Sequence, residues 1–213
     1  MTVVVKDDSL QIERLSLGPF GTNAYIVTCL KTKASVLVDA PAEADTLINK
    51  LEGTEISYIL MTHNHMDHTG ALKELHSRLG VPLAAHEADA ADLPVKPDVY
   101  LNDGDTLSVG DLTIEVIHTP GHTPGCLCFR LGTCLLSGDT IFAGGPGKSW
   151  SPAGFQQIIE SITMKIFTLP DDTQIFPGHG DSSVLKKERN EYAVFASKTH
   201  KPDLYGDIVW LTS

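Results

Sequence analysis

The chain has 213 residues, 42% hydrophobic and 20% charged, the balance of a globular enzyme, expected to form one domain over residues 1–213 with a sizeable core. Its formal net charge of −11 argues against nucleic acid or an anionic membrane as the main partner. No apolar run reaches membrane-span length and the N-terminus lacks a secretory apolar core, so a cytoplasmic location is expected.

Apolar alternation predicts strands over residues 10–17 and 24–30, joined by the turn Gly18-Pro19-Phe20-Gly21-Thr22-Asn23. A third strand, 35–38, ends in Asp39-Ala40-Pro41. Ala44, Leu47, Ile48 and Leu51 fall at i, i+3, i+4 and i+7, the buried stripe of a helix. The apolar run 56–61 reads as a buried strand, and a helix over about 70–79 follows, with Thr69 placed to cap it. Between them lies Thr62-His63-Asn64-His65-Met66-Asp67-His68, a loop held by regular structure on both sides.

Further along, 81–85 reads as a strand, 86–93 as a turn of helix, and the Pro94/Pro97 region as a loop. Residues 106–109 and 112–118 form a predicted hairpin about Gly110-Asp111. The run Thr119-Pro120-Gly121-His122-Thr123-Pro124-Gly125 turns sharply and presents one histidine. Strands at 126–131 and 133–137 lead into Ser137-Gly138-Asp139-Thr140, and 143–151 is glycine-rich. Phe155, Ile158, Ile159, Ile162 and Ile166 mark a helix. A short strand, 174–176, ends in Pro177-Gly178-His179-Gly180, a helix covers about 183–197, and 203–213 is expected to add an edge strand. Strands followed by a helix occur twice, which predicts an α+β sandwich with a helix layer on each outer face.

The chemistry is concentrated in a few side chains. His63 and His65 are two apart, so an extended backbone points both imidazoles the same way. Asp67 and His68 are adjacent at the entry to a helix and aim elsewhere, which suits two neighbouring ions better than one. Imidazole with carboxylate suits zinc first, and also iron or manganese. His122, Asp139 and His179 each follow an apolar strand and sit beside glycine. The set is then five histidines and two aspartates, enough for two divalent metal ions sharing one carboxylate.

Other features carry less. Cys29, Cys126, Cys128 and Cys134 form no Cys-x-x-Cys pair and read as buried free thiols. Gly144-Gly145-Pro146-Gly147-Lys148-Ser149 is not a phosphate loop, because the position of its first glycine is Phe142. His76, His86, His118 and His200 are assigned to structure or surface.

The pattern His63-x-His65-x-Asp67-His68 with His122, Asp139 and His179 resembles the metallo-β-lactamase superfamily. The runs at 119–125 and 137–140 are most similar to its glyoxalase II (hydroxyacylglutathione hydrolase) group, and the resemblance spans about 12–197. It implies a four-layer αβ/βα sandwich with the site at one edge between the sheets. It also implies that His63, His65 and His122 bind one metal, that Asp67, His68 and His179 bind the other, and that Asp139 bridges them. Asp39 would hydrogen-bond the ligand loop, and Lys148 would meet the thiol's carboxylates, although Pro146 stands where the group has a cysteine.

The implied reaction is hydrolysis of a small-molecule thioester. Two ions about 3.5–4 Å apart lower the pKa of a shared water, and the resulting hydroxide, oriented by Asp67, attacks a carbonyl. A thiolate, with a thiol pKa of about 8.5, leaves without a strong acid. The chain ends before the helical domain that supplies glutathione contacts in full-length members, which leaves the thiol carrier unassigned. The alternative is a persulfide dioxygenase-like oxidoreductase with one iron on His63, His122 and Asp139. A monomer or homodimer is expected.

Overall fold

The computed structural model describes residues 2–213. The first sheet contains, side by side and in chain order, β1 (Thr2–Lys6), β2 (Leu10–Leu17), β3 (Thr22–Cys29), β4 (Ala34–Val38), β5 (Glu55–Leu60), β6 (Leu83–Ala85) and β7 (Val99–Tyr100). Tight turns make β1 to β4 antiparallel. From β4 onward the strands run parallel, because longer crossovers separate them. Those crossovers carry α1 (Ala44–Leu51), the short α2 (Met66–Thr69) and α3 (Leu72–Leu79).

The second sheet is built from β8 (Thr106–Val109), β9 (Leu112–His118), β10 (Leu127–Leu131), β11 (Cys134–Gly138), β14 (Gln174–Pro177) and β15 (Ser183–Val184). Its order is β15-β14-β11-β10-β9-β8, antiparallel except for the β11–β14 pair. A two-stranded ribbon, β12 (Ile141–Phe142) and β13 (Gly145–Pro146), projects beside it. The crossover from β11 to β14 carries α4 (Pro152–Met164), and α5 (Leu185–Ala196) follows β15.

Strand alternation explains the layers. Tyr25, Val27 and Cys29 on β3 point between the sheets with Leu127, Phe129 and Leu131 of β10. The intervening Ala24 and Ile26 face the other way, onto Leu47 of α1 and Leu72 and Leu75 of α3. On the second sheet, Cys128, Leu135 and Ile175 face outward onto Phe155, Ile158 and Ile162 of α4 and Phe195 of α5. The result is a four-layer αβ/βα sandwich with one apolar layer between the sheets and one beneath each pair of helices. All four cysteines are buried and free. Among the described residues, no helix is long and apolar enough to cross a membrane.

Several elements differ from the sequence-based expectation. The helix expected from 70, capped by Thr69, is broken into α2 and α3, and Thr69 caps neither. Its hydroxyl donates back to the His65 carbonyl (3.2 Å), because α2 begins at Met66 and the ligand loop itself is helical. The 203–213 tail is not an edge strand. Ile208 and Trp210 plug the outer layer of the second sheet, and the Trp210 N–H donates to the Gly144 carbonyl (2.8 Å), so its backbone serves the glycine-rich loop rather than a ladder. Helix α5 starts at Leu185, since Ser183 and Val184 pair with β14.

The two sheets are joined at one end. Asn23 N donates to the Gly178 carbonyl (2.7 Å), and Leu127 N donates to the Thr62 carbonyl (2.8 Å). The loops after β5, β9, β11 and β14 all emerge at this end.

Candidate metal centre

Those loops bring His63, His65, Asp67, His68, His122, Asp139 and His179 together, from four separate stretches of chain. Three triads have ligand atoms within 4.8 Å of one another: His63, His65 and His122; His63, His68 and Asp139; and Asp67, His68 and His179. His65 Nδ1 lies 3.2 Å from His63 Nε2 and 2.9 Å from His122 Nε2. On the other side, His179 Nε2 lies 3.3 Å from His68 Nε2 and 3.0 Å from Asp67 Oδ2. Asp139 stands between. Its Oδ1 is 3.4 Å from His68, and its Oδ2 is 3.6 Å from both His122 and His179.

Hydrogen bonds behind the cluster choose the tautomers. The His122 Nδ1–H donates to the Lys148 carbonyl (2.7 Å). The His68 Nδ1–H donates to Asp39 Oδ2 (2.8 Å). Thr62 commits its single hydroxyl proton to Asp39 Oδ2 (2.8 Å), so at 3.0 Å it accepts from His63 Nδ1. All three imidazoles therefore turn Nε2 into the cluster, the arrangement that makes histidine a metal ligand.

The donor set fits divalent metal. Asp139 Oδ1 is buried and has no hydrogen-bond partner. Ligands 2.0–2.1 Å from a tetrahedral ion stand about 3.3–3.4 Å apart, and the contacts here, 2.9 to 3.6 Å, bracket that spacing. His63, His68, His122 and Asp139 are buried, whereas His65, Asp67 and His179 are half-buried and face the opening.

Burial, then the neighbouring histidines, hold the His63 pKa well below its ordinary value. Burial and His122 lower His65 in the same way. For His68 burial also acts downward, but Asp39 and Asp139 outweigh it and raise the pKa to about 10. Burial would raise Asp139, but His68, 3.4 Å from its Oδ1, and the other nearby imidazoles keep it below the ordinary carboxylate value. In the metal-free protein a proton on His68 thus sits where an ion would bring positive charge.

Lys148 touches the cluster only through its carbonyl. Its ammonium lies 3.2 Å from Asp207 Oδ2 and 4.9 Å from the centre of the Trp150 ring. Asp39 takes the ligand-loop position expected of it, accepting from Thr62 N as well (2.8 Å). His118 supports the His122 loop through Nε2, which donates to the Pro124 carbonyl (2.9 Å), and its ring stacks on His86 at 3.9 Å.

Sequence reasoning missed several supporting residues. The Thr22 hydroxyl donates to Asp67 Oδ2 (3.2 Å). Asn23 Nδ2 (2.9 Å) and the Tyr25 hydroxyl (2.7 Å) both donate to the Pro177 carbonyl, fixing the approach to His179. Buried Asp89 accepts from the Thr123 hydroxyl and Gly125 N, each at 2.7 Å, and so holds the His122 loop. Nothing local marks these residues, because each has its partner remote in sequence. Gly178 does more than precede His179. A Cβ there would fall against Asp139 Oδ1 and His68 Cε1, so glycine is required for the ligands to close.

The family model described as the metallo-beta-lactamase superfamily matches residues 17–179. The chain is 29% identical over 213 residues to the hydroxyacylglutathione hydrolase GloC of Haemophilus influenzae, covering 89% of this chain and 100% of that protein. It superposes on the crystal structure of ETHE1 from Myxococcus xanthus with a TM-score of 0.78 at 25% identity, over 88% of this chain and 85% of that one. It is also similar to TTHA1623 solved in a di-iron-bound form, with a TM-score of 0.71 at 28% identity over 83% of this chain and 96% of that one.

Proposed function

The chain belongs to the metallo-beta-lactamase superfamily, and from that premise we propose that it is a metal-dependent hydrolase of small-molecule thioesters. The observation that carries the reading is Asp139, buried between two triads with Oδ1 unpartnered and Oδ2 equidistant from His122 and His179. His63, His65 and His122 would hold one ion, Asp67, His68 and His179 a second, and Asp139 both. The likenesses to GloC of H. influenzae and to TTHA1623 in its di-iron-bound form support it. When bound, such ions supply Lewis acidity at a carbonyl oxygen and a water that loses its proton near neutral pH.

The chain's own residues supply position. Asp67, steadied by the Thr22 hydroxyl, presents a carboxylate at the open side, placed to accept from and aim the attacking water. Asp39 and Thr62 keep His63 and His68 in the ligating tautomer. Neither Cys126 nor Cys128 serves as nucleophile: burial pushes Cys126 up and Cys128 up to about 11, so neither is a thiolate at neutral pH. A thiolate leaving group, unlike an amine, departs without a proton donor.

A second reading is a persulfide dioxygenase-like oxidoreductase with one iron on His63, His122 and Asp139. The 3.6 Å approach of His122 Nε2 to Asp139 Oδ2 favours that set, but it leaves Asp67 and His179 without a task. Elemental analysis of protein purified without added metal, with hydrolysis assays on S-lactoyl-N-acetylcysteamine and S-lactoylglutathione, separates them. About two ions per chain with thioester turnover is the expected result. One iron, no hydrolysis and oxygen uptake with a persulfide would replace it by the second reading.

A further inference from the structure

We propose that the carrier half of the substrate is a thiol without net negative charge, neutral or cationic, a refinement that rests on the thioesterase reading above. Two grooves open on the ligand histidines. One, of about 630 Å³, runs from His122 past Trp150 to Gln156, Gln157 and Glu160 on α4. The other, of about 400 Å³, lies between His65, Met66, Asn64, Asp92 and Trp150. His122 and Trp150 line both, so either can take the carrier of a substrate whose carbonyl sits at the ligands; a third groove, of about 130 Å³ beside Asp67, is likewise lined by no lysine or arginine.

Among the described residues, no lysine or arginine lines either groove. Apart from histidine, the ionisable groups that do are Asp92 and Glu160, and the chain as a whole carries −11. The basic groups near the rim are already paired. Lys148 Nζ is 3.2 Å from Asp207. On the His179 side, Arg14 Nη1 donates to the Gly180 carbonyl (3.1 Å) and faces Asp181 at 3.7 Å. Such exposed pairs add little stability, yet each cancels the field that would draw in a carboxylate or phosphate. What the grooves offer instead is the amide dipoles of Asn64, Gln156 and Gln157 and the Trp150 ring, 60% exposed. An aromatic ring that already carries the Lys148 ammonium at 4.9 Å, in grooves lined by the carboxylates of Asp92 and Glu160, receives amides and cations and repels anions.

The test compares kcat/KM of the metal-loaded enzyme on lactoyl thioesters of four thiols. N-acetylcysteamine is neutral, 2-(dimethylamino)ethanethiol is cationic, and glutathione and coenzyme A are anionic. The neutral and cationic carriers are expected to exceed glutathione by about ten-fold or more, with coenzyme A lowest. Raising salt narrows the gap, because screening relieves the repulsion of the anionic carriers. Glu160→Lys and Asp207→Ala each raise the ratio of glutathione to neutral turnover several-fold, by adding or releasing a cation. Turnover with glutathione or coenzyme A equal to or above the neutral carrier overturns the inference and leaves the thioesterase reading intact. No turnover with any of the four overturns that reading, and this inference with it.

Discussion

Asp39 Oδ2 lies 2.8 Å from His68 Nδ1 although the residues are 29 apart in sequence, and it takes the Thr62 hydroxyl proton at the same distance. One buried carboxylate thus orients His68 directly and His63 through Thr62. Asp39 has φ 62, in the left-handed region that asparagine also tolerates. Asp39→Asn therefore removes the charge with little backbone penalty. It is expected to weaken metal affinity by about 10–100-fold in chelator competition while leaving the circular dichroism spectrum unchanged. Wild-type affinity in Asp39→Asn would remove Asp39 from the account.

Asp139 is the residue common to both proposed ions. Asp139→Ala should abolish thioester turnover and lower metal content below the wild-type value. A fully metallated, active variant would sink the bridging assignment.

The pH response of the metal-free protein follows from His68 and His63. The His68 pKa is raised on folding to about 10 from 6.5, so its stabilising contribution is complete below 6.5 and is lost as pH climbs towards 10. The His63 pKa is depressed by burial, so below 6.5 the unfolded chain binds more protons and stability falls again. Urea denaturation across this range should show a maximum near 6.5. Adding zinc at about pH 8 should release a proton from His68, which the same unbuffered titration in Asp39→Asn should reduce. Stability that rises steadily from pH 6.5 to 10 would contradict the His68 assignment.

Gly178→Ala separates site from fold. The new methyl group meets Asp139 and His68, and Gly178 is not among the residues at positive φ. Metal affinity should fall by about ten-fold or more, with the melting temperature of the metal-free protein near that of wild type. An unchanged metal content would show that the cluster relaxes around the methyl group.

Glu188 is fully buried, accepts from Gly144 N (2.7 Å) and bonds the Ser183 hydroxyl. It ties α5 to the loop that carries Lys148 and Trp150. Glu188→Ala leaves two donors without partners and should cost about 2–5 kcal/mol in calorimetry. A loss under about 0.5 kcal/mol would mean that the loop does not depend on this tie.

Much of the fold was readable because burial imposes a period. The stripe Ala44, Leu47, Leu51 and the alternation in β3 and β10 each report which face meets apolar neighbours. The breaks came where a local signal competed with a remote one. Thr69 has the chemistry of a cap, but ordering the ligand loop started the helix earlier. The 203–213 run has strand-like apolar spacing, yet Ile208 and Trp210 join the apolar layer formed by Cys128, Leu135 and Ile158. Short strands such as β7 and β15 have too few residues to show any period.

By itself the sequence determined the donor chemistry: which imidazoles and carboxylates exist, their spacing at strand ends, and the glycines that let the chain turn beside them. Only the tertiary structure decided which nitrogen of each ring faces inward, that Asp139 stands between the triads, and that the Lys148 ammonium is drawn to Asp207. The reason is physical. Ligand identity is covalent and local, whereas tautomer, orientation and field depend on partners such as Asp39, Thr62 and Asp207, which only the packing of two sheets and the C-terminal tail brings within hydrogen-bond range.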